Sequence, residues 1–217
     1  YSLALALMVR SVLELLCGAA REAQREAELC LEIAERHGFP YWLGFTRIVK
    51  GWALIGQDDL ATGGEEVAAG MRQYRDMDGG LYWPMAYRAF AEDRARAGDR
   101  SGAFRALDDA TGAIETSGER WLESEVERYR GELYAAVGDS RGERCLRQAM
   151  AFARQRQARS WELRAAIPLA RLWQSQGRTE EAEDLLAPVY AWFEEGFDSA
   201  DLVAAKTLLD KLGAGET

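Results

Sequence analysis

The sequence predicts an all-α chain, a right-handed α-solenoid of about five helical hairpins closed by a C-terminal capping helix. Three observations carry this. Alanine, leucine, arginine and glutamate dominate, while valine, isoleucine and threonine are scarce, a balance that favours helix over strand. Turn-like glycines recur at Gly18, Gly56, Gly98, Gly138 and Gly177. Aromatic starts recur at Tyr41-Trp42, Tyr82-Trp83, Trp121 and Trp161. Both series step by about 40 residues, the length of a helix-turn-helix repeat.

The repeats fall at about 1–39, 40–80, 81–118, 119–158 and 159–198, with the capping helix at 199–213, and the 217 residues read as a single superhelical domain. First helices are expected near 2–17, 41–55, 82–97, 121–137 and 160–176. Second helices are expected near 20–37, 60–77, 100–117, 141–157 and 179–195. Gly98-Asp99, Gly138-Asp139 and Gly177-Arg178-Thr179 supply turns and N-caps, and Gly38-Phe39-Pro40 and Gly79-Gly80 separate one repeat from the next. Pro168 and Pro188 fall inside helices and predict bends. Gly213 to Thr217 should be loose.

A ladder of small residues follows the glycines. Five residues on stand Ala23, Ala61, Ala103, Glu143 and Ala182; nine on stand Ala27, Glu65, Leu107, Arg147 and Leu186; twelve on stand Cys30, Ala68, Ala110, Met150 and Val189. The fourth repeat fits better with a turn one residue shorter, giving Gly142, Leu146 and Ala149. Small residues at these spacings let antiparallel helices approach closely. The pattern resembles the tetratricopeptide (TPR) repeat, in which a small residue and an aromatic precede a turn glycine and an alanine ladder follows.

Composition also excludes. A net charge of −9 argues against nucleic acid or an anionic membrane as partner. No apolar run reaches the roughly 18 residues of a membrane span. Cys17, Cys30 and Cys145 are odd in number and none forms a C-x-x-C pair, so they read as small core residues in a reducing cytoplasm. His37, the single histidine, stands at an expected helix end, where an imidazole is compatible with the dipole. Phosphate-loop, dinucleotide and nucleophile-elbow motifs are absent, as is metal-ligand spacing. No catalytic residue, metal or cofactor is expected.

The informative polar residues lie on the first helices, which line the concave side of such an array. Lys50, Arg88, Glu92, Glu125, Arg128, Glu132, Arg164 and Arg171 fall at groove-facing spacings, and Trp83, Trp121 and Trp161 start those helices with Trp42 near one rim. The set reads as a mixed-charge groove with an aromatic edge, suited to a peptide or a small polar ligand. The alternative is inter-repeat ion pairs with tryptophans packed as spacers. Leu3, Leu5, Leu7 and Met8 on the first helix are candidates for contact with a second copy in a homodimer.

The C-terminal half carries a narrower resemblance. Its residues are Ser160-Trp161-Glu162-Leu163-Arg164-Ala165-Ala166, Leu169-Ala170-Arg171-Leu172-Trp173, Gln176-Gly177-Arg178 and Leu185-Leu186-Ala187-Pro188-Val189-Tyr190. Trp192-Phe193, Glu195-Gly196-Phe197-Asp198, Ala204-Ala205-Lys206 and Leu208-Leu209 continue it, and Arg128, Gly131, Glu132 and Leu133 fit the repeat before. Over about 119–212 the chain resembles the C-terminal TPR-like region of bacterial multidomain signalling proteins. In these a class III adenylate/guanylate cyclase or a DNA-binding domain precedes a signalling ATPase. Pro168 departs from that pattern. The resemblance implies a non-catalytic regulatory module, cut from a longer chain, that receives a protein or peptide, including the ATPase domain of its own full-length chain. The alternative is a sensor that binds a metabolite in the groove.

Overall fold

The structure is a computed structural model that describes residues 1–77 and 81–214. Eleven α-helices and one 3-10 turn make up the described residues, with no strand. They group into two compact units, Tyr1–Arg120 and Trp121–Thr217.

The first unit holds three hairpins. They are α1 (Ser2–Leu16) with α2 (Ala20–His37), α3 (Pro40–Gly56) with α4 (Leu60–Asp76), and α5 (Trp83–Arg96) with α6 (Arg100–Ser117). Within this unit α2 also packs on α3, and α4 on α5. Pro40 and Pro84 sit in the first turns of α3 and α5, where a missing N–H costs nothing. Asp59 and Asp99 cap α4 and α6 by accepting the Thr62 and Gly102 amides at 3.2 and 2.8 Å. The second unit holds a 3-10 turn (Arg120–Leu122, which begins at the last residue of the first unit), α7 (Glu123–Ala135), α8 (Arg141–Gln155), α9 (Arg159–Ser175), α10 (Thr179–Tyr190) and α11 (Ala200–Gly213). Here α8 packs on α7 and α9, while α11 packs on α9 and α10. No helix is long and apolar enough to cross a membrane, among the described residues.

The expected ladder is buried where its register is right. Ala23, Ala27 and Cys30, Ala103, Leu107 and Ala110, and Ala182, Leu186 and Val189 all lie in the core, as do Gly142, Leu146 and Ala149 of the shortened fourth repeat. The second repeat corrects the reading. Gly56 is the last residue of α3 and does not turn the chain; Asp58 does, at φ 70°. Counting from Asp58 places Gly63, Val67 and Gly70 inside, and leaves Ala61 exposed. These glycines are structural. A Cβ on Gly51 would stand 2.6 Å from the Gly63 carbonyl, and one on Gly70 would stand 2.7 Å from the Gly44 carbonyl. The backbones of α3 and α4 therefore touch along two glycine pairs.

Other expectations shift locally. α10 ends at Tyr190, short of 195, two residues after Pro188, whose ring removes an amide donor. α9 continues through Pro168. Thr179 is the first residue of α10 rather than its cap, and α7 begins after the 3-10 turn that holds Trp121. Cys30 and Cys145 are buried, but Cys17 is exposed at the end of α1. Met8 is buried, whereas Leu3, Leu5, Val9 and Leu13 form an exposed apolar stripe on α1. His37 is exposed, its ring stacked on Phe39. Gly79-Gly80 and residues 215–217 lie outside the described residues.

Candidate interaction site

The candidate residues of the first unit separate into three environments. Lys50 on α3 reaches the second helix of its own hairpin, donating to Glu66 at 3.1 Å, with Arg47 4.0 Å from the same carboxylate. Trp83 packs among Tyr74, Tyr87 and the Arg75 guanidinium. Arg88 and Glu92 come together on α5, one helical turn apart, at 3.0 Å. Glu92 also accepts the indole N–H of Trp52 at 2.9 Å, and the Arg88 guanidinium lies 5.1 Å from the Trp52 ring centre. Trp52 was not among the expected residues. It precedes Glu92 by one repeat of 40 residues, so the two occupy the same position on neighbouring first helices.

In the second unit Glu125, Arg128 and Glu132 form a triad on α7. Arg128 donates through Nε to Glu125 at 2.7 Å and through Nη1 to Glu132 at 2.6 Å, and Nη2 reaches the other oxygen of Glu125. Glu125 is buried. Burial alone would lower the pKa of Arg128, but the two carboxylates outweigh it and raise the pKa above its ordinary value. Arg164 donates to Asp201 of α11 at 2.8 Å and covers the Trp161 ring at 5.1 Å. Trp121 is half-buried in the 3-10 turn, and Arg171 is exposed.

Ten residues before each left-handed turn residue stand Met8, Ile48, Arg88, Arg128 and Ile167. Met8, Ile48, Arg88 and Ile167 are all buried, so this is a core position that repeats three and four fill with arginine. Each of these arginines pairs with the glutamate one turn on, Glu92 or Glu132. Burying a guanidinium where an aliphatic side chain fits is costly unless its pairing is near complete.

Buried charge elsewhere was not expected. Glu162 lies inside α9 with Arg154 and Arg159 on its two oxygens, at 2.6 and 2.7 Å. Trp173 is covered by Arg147 and Arg178 at 4.6 and 4.5 Å, and Glu143 joins both guanidiniums. For Glu162 the sequence signals are arginines three and eight residues before it, and only the nearer lies at helical pair spacing. Open hollows of about 420 Å3 among the described residues include one between α5 and α6 lined by Phe90, Arg94 and Arg105, and another on α8 lined by Ser140, Arg144 and Arg147. Neither is lined by the first-helix set.

No protein-family model matches the sequence, and no curated protein matches it. Solved structures do. A thermophilic TPR protein of Thermus thermophilus superposes with a TM-score of 0.63 at 18% identity, over 95% of this chain and 98% of that one. The nearly identical TPR-like repeats assigned to a kinesin light chain of Podospora anserina superpose at 0.54, and a point-substituted form of the same repeats at 0.55, each at 16% identity over 86% of this chain and 92% of that one. The fold is TPR-like. At these identities the likeness extends to the fold and no further.

Proposed function

We propose that the chain is a non-catalytic TPR-like module that binds a protein or peptide through the charged faces of its first helices. In this reading it serves as the regulatory part of a larger cytoplasmic signalling protein. The observation that carries the proposal is a pair of arginines at a position that other repeats fill with methionine or isoleucine: Arg88, which is buried, and Arg128, whose side chain is 12% exposed. An aliphatic residue often serves stability as well as or better than a buried ion-paired arginine, which supports a role for these arginines in recognition. Glu92 and Glu132, one turn on, hold the two guanidiniums, each within its own unit. The resemblance of residues 119–212 to the end of cyclase and transcription-regulator signalling proteins makes the ATPase domain of the parent chain the partner to test first. The exposed stripe of Leu3, Leu5, Val9 and Leu13 is where a second copy would associate.

The test is a thermal-shift and tryptophan-fluorescence screen against nucleotides, sugars, amino acids and short peptides. Shifts confined to peptides support the module. A saturable shift with one metabolite class, lost in Arg128→Ala, overturns it in favour of a small-molecule sensor.

A further inference from the structure

The corner where α8 ends, α9 begins and the chain leaves α10 carries a different kind of surface. Residues 141–159 hold six arginines and one acidic residue in a chain of net charge −9. At its end Arg154 and Arg159 are both exposed, yet both are fixed by the same buried carboxylate. Glu162 accepts Arg154 Nε on one oxygen and Arg159 Nη1 on the other. Two guanidiniums held on one carboxylate lie side by side with a net charge of +1. The remaining donors of both have no partner among the described residues. Trp192, which is 57% exposed, lies with its ring centre 5.6 Å from the Arg159 guanidinium.

Two further facts single out the corner. Arg159 is the first residue of the 17-residue α9, where the helix dipole is positive and a cation is the unfavourable charge. No side chain caps that N-terminus, because the capping position is Ala158. The result is an arginine pair fixed before binding, an uncapped helix start behind it and an exposed tryptophan beside it. These are the residue types that dominate binding energy at interfaces. Glu194 and Glu195 follow Trp192 and are exposed, without an ion pair to either arginine among the described residues.

We infer that this corner is a docking site for an acidic segment of a partner protein, with a carboxylate received by Arg154 and Arg159 and an apolar neighbour resting on Trp192. The charge selects the occupant, since the remaining N–H groups of both guanidiniums can donate charge-assisted hydrogen bonds to a carboxylate. The inference concerns a surface that includes neither Arg88 nor Arg128, so it stands or falls without them.

The experiment is fluorescence anisotropy of the full chain with a labelled peptide of Glu, Asp and Leu, with its Gln/Asn/Leu counterpart and with a short DNA duplex as the comparison probes. Saturable binding of the acidic peptide that weakens with salt is expected. Arg159→Gln and Trp192→Ala should each reduce it by about tenfold, the worth of one charge-assisted contact. Lys211→Gln, on the exposed face of α11, should leave it unchanged. Trp192→Ala alters an exposed side chain, so it reads the site even if an arginine variant were to unfold. Absence of saturable binding overturns the inference, as does equal loss in Lys211→Gln. Tighter, Arg159-dependent binding of the duplex overturns it in favour of nucleic acid.

Discussion

Replacing Gly51 by alanine should destabilise the protein, whereas replacing Gly112 by alanine should stabilise it. Both glycines lie inside helices, where alanine is favoured by about 1 kcal/mol. At Gly112 an added Cβ meets nothing within 4 Å, so the whole gain is realised. At Gly51 it would stand 2.6 Å from the Gly63 carbonyl oxygen, 2.7 Å from the Val67 amide nitrogen and 2.8 Å from Val67 Cγ2. Two of these are backbone atoms, so relief requires α3 and α4 to separate. Overpacking of this kind costs roughly 1–3 kcal/mol and should fall in the upper part of that range, leaving a net loss of about 1–2 kcal/mol after the helix gain. Urea unfolding followed by circular dichroism measures both variants, with the midpoint moving in opposite directions at unchanged slope. If Gly51→Ala raises the midpoint as Gly112→Ala does, the glycine contact between α3 and α4 is refuted.

The other predictions are simpler. Gln157 turns the chain between α8 and α9 at φ 55°, a conformation that costs a side chain about 1–2 kcal/mol. Gln157→Gly should therefore raise stability by about 0.5–1 kcal/mol once the glycine's own entropy is subtracted, and an unchanged urea midpoint would contradict it. The Arg141 side chain and then its amide hydrogen-bond to the Asp139 carboxylate and lower its pKa to about 2. The folded value lies below the ordinary 3.8, so this contribution is complete above 3.8 and is lost as the pH falls toward 2. Acid unfolding should be shallower across that window in Asp139→Asn, and identical profiles would count against the pair. Burial, and then Glu127 beside it, pushes the Cys145 thiol up to about 12, and burial pushes Cys30 up as well. A thiol reagent should modify only exposed Cys17 in the folded protein; rapid modification of a second cysteine would place Cys30 or Cys145 wrongly.

The helices were largely legible because local signals agree: Asp99 after Gly98 and Pro40 after Gly38 both mark turns that the structure contains. Repeat two misled because Asp58 takes the positive φ that Gly18, Gly98, Gly138 and Gly177 take in the other repeats, while Gly56 does not. The buried glycine pairs were equally hidden, since a helix expected at 60–77 does not show which of its glycines meet α3. Among the candidate residues, pairs one turn apart could be read, as with Arg88 and Glu92. Partners supplied by other helices could not. Trp52 reaches Glu92 across 40 residues, and Asp201 reaches Arg164 across 37.

The most direct test of the binding proposal is selection of peptides from an unbiased displayed library, followed by calorimetry with wild type and Arg88→Met. Methionine is the residue the first repeat has at this position, and Glu92 keeps the Trp52 indole as a donor, so the variant should fold. Selected peptides should bind wild type and lose about tenfold or more in affinity, about 1.4 kcal/mol, in the variant. Undiminished binding to Arg88→Met would contradict it.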